Sequence, residues 1–318
     1  GTCKDRDILR FNPHQLIEGM AIACYTVGAT VGYNFLRGEY AEPFAVCEQA
    51  LEEAYAAGYL GKNIFGSGVD IDLYNVRSAG AYICGEETGL MNALEGKRAY
   101  PRFKPPFPAN YGLYGCPTNI NNTETLASVP VILEKGGAWF ADLGVPKSGG
   151  TKIFSVSGHV NNPGNFEVPL GLPFAELLEM AGGVLNGHKL KAVIPGGSSM
   201  PILPAETMMK TNMDYDSIMQ AGSMLGSGAV IVMDETTCMV KACARIAQFY
   251  RHESCGQCTP CREGTGWMHK ILQRVISGDA VISDLDRLGK IAKRIEGRTI
   301  CALGEAAAWP ILGFLRHF

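Results

Sequence analysis

Between Glu253 and Gly264 the chain reads Ser254-Cys255-Gly256-Gln257-Cys258-Thr259-Pro260-Cys261-Arg262, a C-x2-C-x2-C run. Three thiolates two residues apart can wrap three corners of an iron-sulfur cubane, and a [4Fe-4S] cluster then needs one more thiolate from elsewhere. Zinc sites more often use separated C-x2-C pairs or histidine partners. The alternatives are therefore a zinc knuckle completed by His252 or His269, or a set of buried thiols. Cys238, Cys243 and Cys301 compete for the fourth position. Cys301 stands at the approach to a helix, in Arg298-Thr299-Ile300-Cys301-Ala302-Leu303-Gly304, whereas Cys243 lies in an apolar helical stripe where a core role fits better.

The other cysteines bear on compartment. There are 11 in 318 residues, an odd number scattered along a long chain, with no signal peptide and no apolar run long enough to span a membrane. This argues against a secreted disulfide scaffold and makes a reducing compartment the expectation, with the remaining seven thiols expected to be buried. A net charge of −3 excludes a whole-chain electrostatic grip on nucleic acid. The length predicts two or three domains, and 47% hydrophobic with 19% charged residues predicts an ordinary globular core.

Periodicity predicts a helix from Pro13 to Ala23, then a strand through Tyr25-Thr26-Val27 and Thr30 to Phe35. Pro43 opens a second helix that Gly58 stops, and Ile71 to Val76 reads as another strand. Helix, strand, helix, strand at this spacing implies a parallel sheet with crossover helices, whose ligands sit past the carboxyl ends of the strands. The segment after Val76 is thus the place to look for a site. Pro101 to Pro117 reads as an extended loop, and the glycine-rich stretch from Glu134 to Gly150 as a domain boundary. Beyond it, short strands at 152–158, 166–168, 192–194 and 229–233 surround a helix at 174–181, an α+β pattern. Four helices follow, at 240–250, 264–277, 283–295 and 302–314, in the manner of a bundle.

Directly after the second strand comes Gly80-Ala-Tyr-Ile-Cys-Gly-Glu-Glu-Thr-Gly89. Small residues let a flat ligand approach the backbone, and Glu86 and Glu87 can take ribose hydroxyls or ring N–H groups; solvated acids on a plain turn are the bland reading. Neither a G-x-G-x-x-G nor a G-x-x-x-x-G-K-[ST] phosphate loop is present. Lys97, Arg98, Arg102 and Lys104 interleave with Tyr100, Phe103 and Phe107, which suits a pyrophosphate beside a stacked ring or equally a solvated basic linker. The run Thr118 to Thr125 can bind phosphate, but its default role is to cap a helix starting near Thr123.

Taken together, Gly80–Gly89, Arg102-Phe-Lys-Pro-Pro-Phe-Pro108, Asn121-Asn-Thr-Glu-Thr125, Ser157-Gly-His-Val160, Ile194-Pro-Gly-Gly-Ser-Ser199 and the Glu253–Gly264 cysteine run closely resemble the FMN-binding, NADH-oxidising subunit of respiratory complex I, in order and spacing along the whole chain. The resemblance implies an α/β Rossmann-like flavin domain over 1–145, a ubiquitin-like β-grasp domain of α+β type over 146–236, and an all-α four-helix bundle with a [4Fe-4S] cluster over 237–318. Carried over by position, it implies FMN contacts at Tyr82, Gly85, Glu86, Asn121, Asn122 and Thr125, and NADH contacts at Glu87, Lys104 and Phe107. It assigns the cluster ligands to Cys255, Cys258, Cys261 and Cys301. It places a glycine-rich flavin loop and an acidic Asn-x-Asp-Glu-Ser-Glu-Pro segment ahead of Gly1, so the flavin domain is expected to be N-terminally incomplete here.

The activity implied is hydride transfer from NADH to FMN, then single-electron transfer to the cluster and onward towards quinone. The implied partners are a small thioredoxin-like [2Fe-2S] subunit and a larger multi-cluster subunit. With no membrane span of its own, the protein would be a peripheral subunit on the cytoplasmic side of a bacterial inner membrane, or on the matrix side in a mitochondrion. The same subunit type serves NAD-linked hydrogenases and formate dehydrogenases as a diaphorase, and a non-catalytic electron-wiring or zinc-stabilised module is the reading from another class.

Overall fold

The computed structural model describes residues 2–318, so the expectation tied to Gly1 lies outside the described residues. They divide into two compact units, Cys3–Phe140 and Ala141–Phe318 with Thr2. The first contains α1 (Lys4–Phe11), α2 (Pro13–Val27), β1 (Val31–Leu36), α3 (Ala41–Ala56), β2 (Asp72–Arg77), α4 (Glu87–Leu94) and α5 (Thr123–Lys135), with α6 (Gly137–Asp142) at the junction. β1 and β2 pair in parallel from Val31↔Asp72 to Leu36↔Arg77. This is the crossover arrangement that a helix between two strands produces. Leu16, Ile17 and Met20 of α2, Cys47 and Ala50 of α3, and Leu36 and Leu73 of the strands form the core.

One predicted strand is corrected. Tyr25-Thr26-Val27 does not open β1 but completes α2, which runs on until Gly28 takes a left-handed conformation (φ 74°) and donates its N–H to helix carbonyls. Tyr, Thr and Val favour strands, but a helix whose apolar stripe is already packed continues to the first residue that can cap it. α2 also packs closely on α5: a Cβ on Gly19 would collide with the Leu126 carbonyl oxygen. Backbone cannot retreat like a side-chain tip, so Gly19→Ala is expected to cost about 3 kcal/mol, read as a lower urea midpoint at unchanged slope.

The second unit holds β3 (Thr151–Gly158), β4 (Gly164–Pro169), α7 (Phe174–Met180), β5 (Leu190–Ile194), β6 (Leu203–Pro204), α8 (Ala205–Met208), α9 (Tyr215–Gln220) and β7 (Ala229–Asp234), followed by α10 (Met239–Glu253), α11 (Thr259–Ser277), α12 (Ile282–Ile295) and α13 (Leu303–His317). The strands form a mixed sheet in the order β4-β3-β7-β5-β6. Fully buried Phe154, Phe174, Leu177, Val193 and Val230 fill the space between sheet and helices. Buried Asp234, at the end of β7, receives His159 Nδ1 at 2.7 Å and His188 Nδ1 at 2.8 Å. With the Thr236 hydroxyl, they hold its carboxyl well below the usual range. The sequence signal did not reveal β6, α8 and α9, which are too short to show a period.

α10 to α13 pack on one another around buried Tyr250, Met268, Leu288, Ile295 and Ile311. α11 begins five residues earlier than the sequence indicates, at Thr259, because Pro260 suits a first helical turn. Among the described residues no helix is long and apolar enough to cross a membrane.

Candidate functional site

The turn after β2 leads through a short 3-10 segment, Tyr82–Gly85, into α4. A helix start leaves backbone N–H groups unpaired, and Glu86 supplies their acceptor. Its Oε2 accepts from Thr88 N–H at 2.9 Å, Gly89 N–H at 2.8 Å and the Thr88 hydroxyl at 2.5 Å. One carboxylate oxygen is thus structural, while Oε1 faces the Lys104 ammonium at 3.7 Å. Lys104 is hydrogen-bonded to Glu87 as well, and that bond holds its pKa above the ordinary lysine value. Adjacent Glu86 and Glu87, with Lys104 from 17 residues beyond Glu87, therefore form one charged cluster at the head of α4.

The aromatic and basic loop that carries Lys104 is pinned to α4 by Arg102. Its guanidinium donates to Asn92 Oδ1 at 2.9 Å and to the Gly112 carbonyl at 3.1 Å, and pairs with Glu95 at 2.9 Å. Lys97 is bound to Glu95 at 2.7 Å, and Arg98 lies over the Tyr100 ring. Of the four cations singled out in the sequence, Arg102 is thus structural, and Lys104 is the one set beside the paired carboxylates. Phe107 is 54% exposed and Tyr82 37%, and a Cβ on Gly85 would meet open space.

Lys97, then Arg102 and the Tyr114 N–H, hold the Glu95 carboxyl at about 2, against an ordinary value of 4.5. A depressed pKa adds stability above the unfolded value and loses it as pH falls through the folded value. Unfolding midpoints should therefore drop between pH 4.5 and about 2. Glu95→Gln should flatten that limb in an acid urea series.

Asn121, Asn122 and Thr125 gather at the start of α5. Asn122 Oδ1 caps the helix through Glu124 N–H at 3.0 Å and accepts from the Lys4 ammonium at 2.7 Å, while its Nδ2 donates to Asp5 at 3.0 Å. Capping is thus the visible job of Asn122. Asn121 donates to Asn119 at 3.1 Å and is exposed. Lys4, 4% exposed, also pairs with Glu124 at 3.0 Å. This buried cation beside Asn122 was not visible in the sequence, because no periodic pattern marked α1.

A cleft of about 510 Å³ opens at the carboxyl ends of β1 and β2, lined by Gly38, Glu39, Arg77, Ser78, Ala79 and Gly80. The Arg77–Gly80 side lies where the strand rule pointed. Gly38 and Glu39 were missed, though the same rule applied to the end of β1 finds them. Small residues, one guanidinium and one carboxylate fit a flat, polar cofactor such as FMN.

In the helical region Cys258 immediately precedes α11 and Cys261 lies in its first turn. The Ile300 N–H donates to Cys258 Sγ at 3.3 Å, tying the cysteine run to the segment bearing Cys301. Ser254 Oγ stands 3.2 Å from Cys261 Sγ. Burial, then the neighbouring Cys255, Cys258 and Glu305, push the Cys261 thiol up against the pull of Ser254. Gln257 Oε1 is buried without a hydrogen-bond partner. Three cysteines in one run, a fourth on a segment hydrogen-bonded to that run, polar groups at two of the sulfurs and a buried, unpaired Gln257 oxygen fit an iron-sulfur cluster.

Among the described residues no group of three or more Cys, His, Asp or Glu side chains is placed to hold a metal ion. His269 has its ring nitrogens against Arg251 at 3.2 Å and Gln273 at 3.3 Å, and His252 is turned to Glu253. None of the eleven cysteines is in a disulfide. Of the seven outside the cluster set, Cys24, Cys47, Cys84 and Cys243 are buried as expected. Cys3, Cys116 and Cys238 are exposed, which corrects the expectation for them; Cys3 and Cys238 stand at helix starts and Cys116 at the end of a short 3-10 turn, on the surface.

Three family models match the chain: the Nuo51 FMN-binding domain over residues 1–131, an SLBB domain over 153–203, and the NADH-ubiquinone oxidoreductase-F iron-sulfur binding region over 241–318. The chain is 56% identical over 320 residues to the F subunit of NADH-quinone oxidoreductase from Rickettsia bellii (strain OSU 85-389), covering 100% of itself and 77% of the relative. It is 57% identical to the corresponding protein of Rickettsia felis, covering 76% of it. Among solved structures it resembles a chain of an NAD+-reducing [NiFe]-hydrogenase in the H2-reduced state, at a TM-score of 0.91 and 34% identity. The match covers 100% of this chain and 53%, about half, of the hydrogenase chain. With an FMN-binding domain, an SLBB domain and a 4Fe-4S region in one α/β chain, the protein belongs to the family of NADH-quinone oxidoreductase F subunits.

Proposed function

We propose that this protein oxidises NADH as a subunit of a complex I-type NADH-quinone oxidoreductase. The observation that carries the reading is the Glu86–Glu87–Lys104 cluster at the head of α4, inside the FMN-binding region. Bound FMN would supply the step that no side chain here can perform, taking two electrons as hydride from NADH and passing them singly to a [4Fe-4S] cluster.

The chain's own groups bind and orient. Glu86, its Oε2 fixed by the α4 cap, offers Oε1 to the flavin along with Tyr82, Gly85, Asn121, Asn122 and Thr125. Glu87 and Lys104 hold NADH, whose arrival exchanges their mutual ion pair for contacts to the dinucleotide, and exposed Phe107 packs on its ring. Cys255, Cys258, Cys261 and Cys301 hold the cluster. The architecture we assign is a Rossmann-like domain over 1–145, a β-grasp domain over 146–236 and a four-helix bundle over 237–318. The partners are a thioredoxin-like [2Fe-2S] subunit and a multi-cluster subunit, in a peripheral arm facing the cytoplasm or mitochondrial matrix.

NAD+ reduction in a hydrogenase-type assembly is a second reading, supported by the likeness to the NAD+-reducing hydrogenase. The higher identity to the quinone-linked subunits ranks it second. The test is anaerobic purification of the full-length protein, with measurement of acid-releasable FMN and of a cluster EPR signal that appears on adding NADH. FMN and iron without NADH reduction would overturn the assignment.

A further inference from the structure

Gln257 sits between Cys255 and Cys258, and its Oε1 is buried with no hydrogen-bond partner. Folded proteins rarely leave such a group unpaired without a reason. The two ends of a carboxamide exchange by a 180° flip, so the same buried position can present an N–H donor. Two further polar groups already address the cysteine sulfurs: the Ile300 N–H at 3.3 Å from Cys258 Sγ and Ser254 Oγ at 3.2 Å from Cys261 Sγ. A metal-bound thiolate carries no proton, so towards it the Ser254 hydroxyl must donate. Hydrogen bonds to cluster sulfurs stabilise the more negative, reduced state and so raise the reduction potential.

We propose that Gln257, together with Ser254 and the Ile300 N–H, forms a donor set that sets the potential of the [4Fe-4S] cluster. The inference rests on the cluster assignment above and makes Gln257 and Ser254 positioning and tuning residues that do not ligate iron. Gln257 would gain in the cluster the partner it otherwise lacks.

The test is an EPR-monitored redox titration of the holoprotein and its variants, with iron content measured alongside. Gln257→Leu and Ser254→Ala are each expected to keep their iron and to move the midpoint negative by about 59 mV, a tenfold change in the reduced ratio for one electron. Ser254→Thr, which keeps the hydroxyl, should restore it. In deuterated water the reduced wild-type cluster should show exchangeable deuteron couplings that weaken in each variant. Unchanged midpoints in iron-replete variants, or a wild-type cluster with no such couplings, overturn the proposal. If Gln257→Leu fails to hold iron, the Ser254→Ala midpoint and the wild-type couplings still decide it. Absence of any cluster signal in the wild type would instead refute the cluster assignment itself.

Discussion

Glu87→Ala is expected to lower kcat/KM for NADH about a hundredfold, roughly 2.7 kcal/mol of transition-state stabilisation, with iron content unchanged. Glu87 is partly exposed at the head of α4 and makes no cap contact there; the three bonds that start the helix belong to Glu86. Its removal therefore leaves the fold standing but frees the Lys104 ammonium. That cation then has only the Glu86 Oε1, at 3.7 Å, to turn to. Both NADH-binding groups are thereby disturbed by one substitution: Glu87 is gone and Lys104 is drawn onto the flavin-side carboxylate. Steady-state kinetics with NADH and an artificial acceptor, beside iron analysis, make the check. Equal loss of activity and iron would show that Glu87 supports the fold.

Cys301→Ala should abolish the cluster, taking the iron from about four per chain to near zero together with the reduced EPR signal. Cys301 is half-buried and follows Ile300, whose N–H already bonds Cys258 Sγ, so its segment is already tied to the cysteine run. Cys243→Ala is the matched control. That thiol is buried on α10, where burial pushes its pKa up to about 12, and an uncharged thiol in an apolar setting is a core residue. It should lose about 1 kcal/mol of stability and no iron. The reverse pattern, iron lost in Cys243→Ala and kept in Cys301→Ala, would move the fourth ligand to α10.

Local chemistry was legible wherever a residue's role depends on its near neighbours. The Cys255–Cys261 spacing, the turn after β2 and the cap before α5 are readable because a thiolate triad, a strand end and a helix start are each completed within a few residues. Tyr25 to Val27 were misread because strand propensity is weaker than the continuation of an established helix to Gly28. The exposure of Cys3, Cys116 and Cys238 was hidden because burial depends on what packs from afar.

The sequence by itself determined the family and the chemical cast: the cysteines, the paired carboxylates, and the basic and aromatic loop. Only the tertiary structure decided how that cast divides its labour. It turned Arg102 into a pin on α4 and left Lys104 on Glu87. It set one oxygen of Glu86 to the helix cap, buried Lys4 beside Asn122, and buried the Gln257 Oε1 without a hydrogen-bond partner. Each of these depends on contacts between segments brought together by the burial of a shared apolar core, and charge partners chosen that way leave no trace in local spacing.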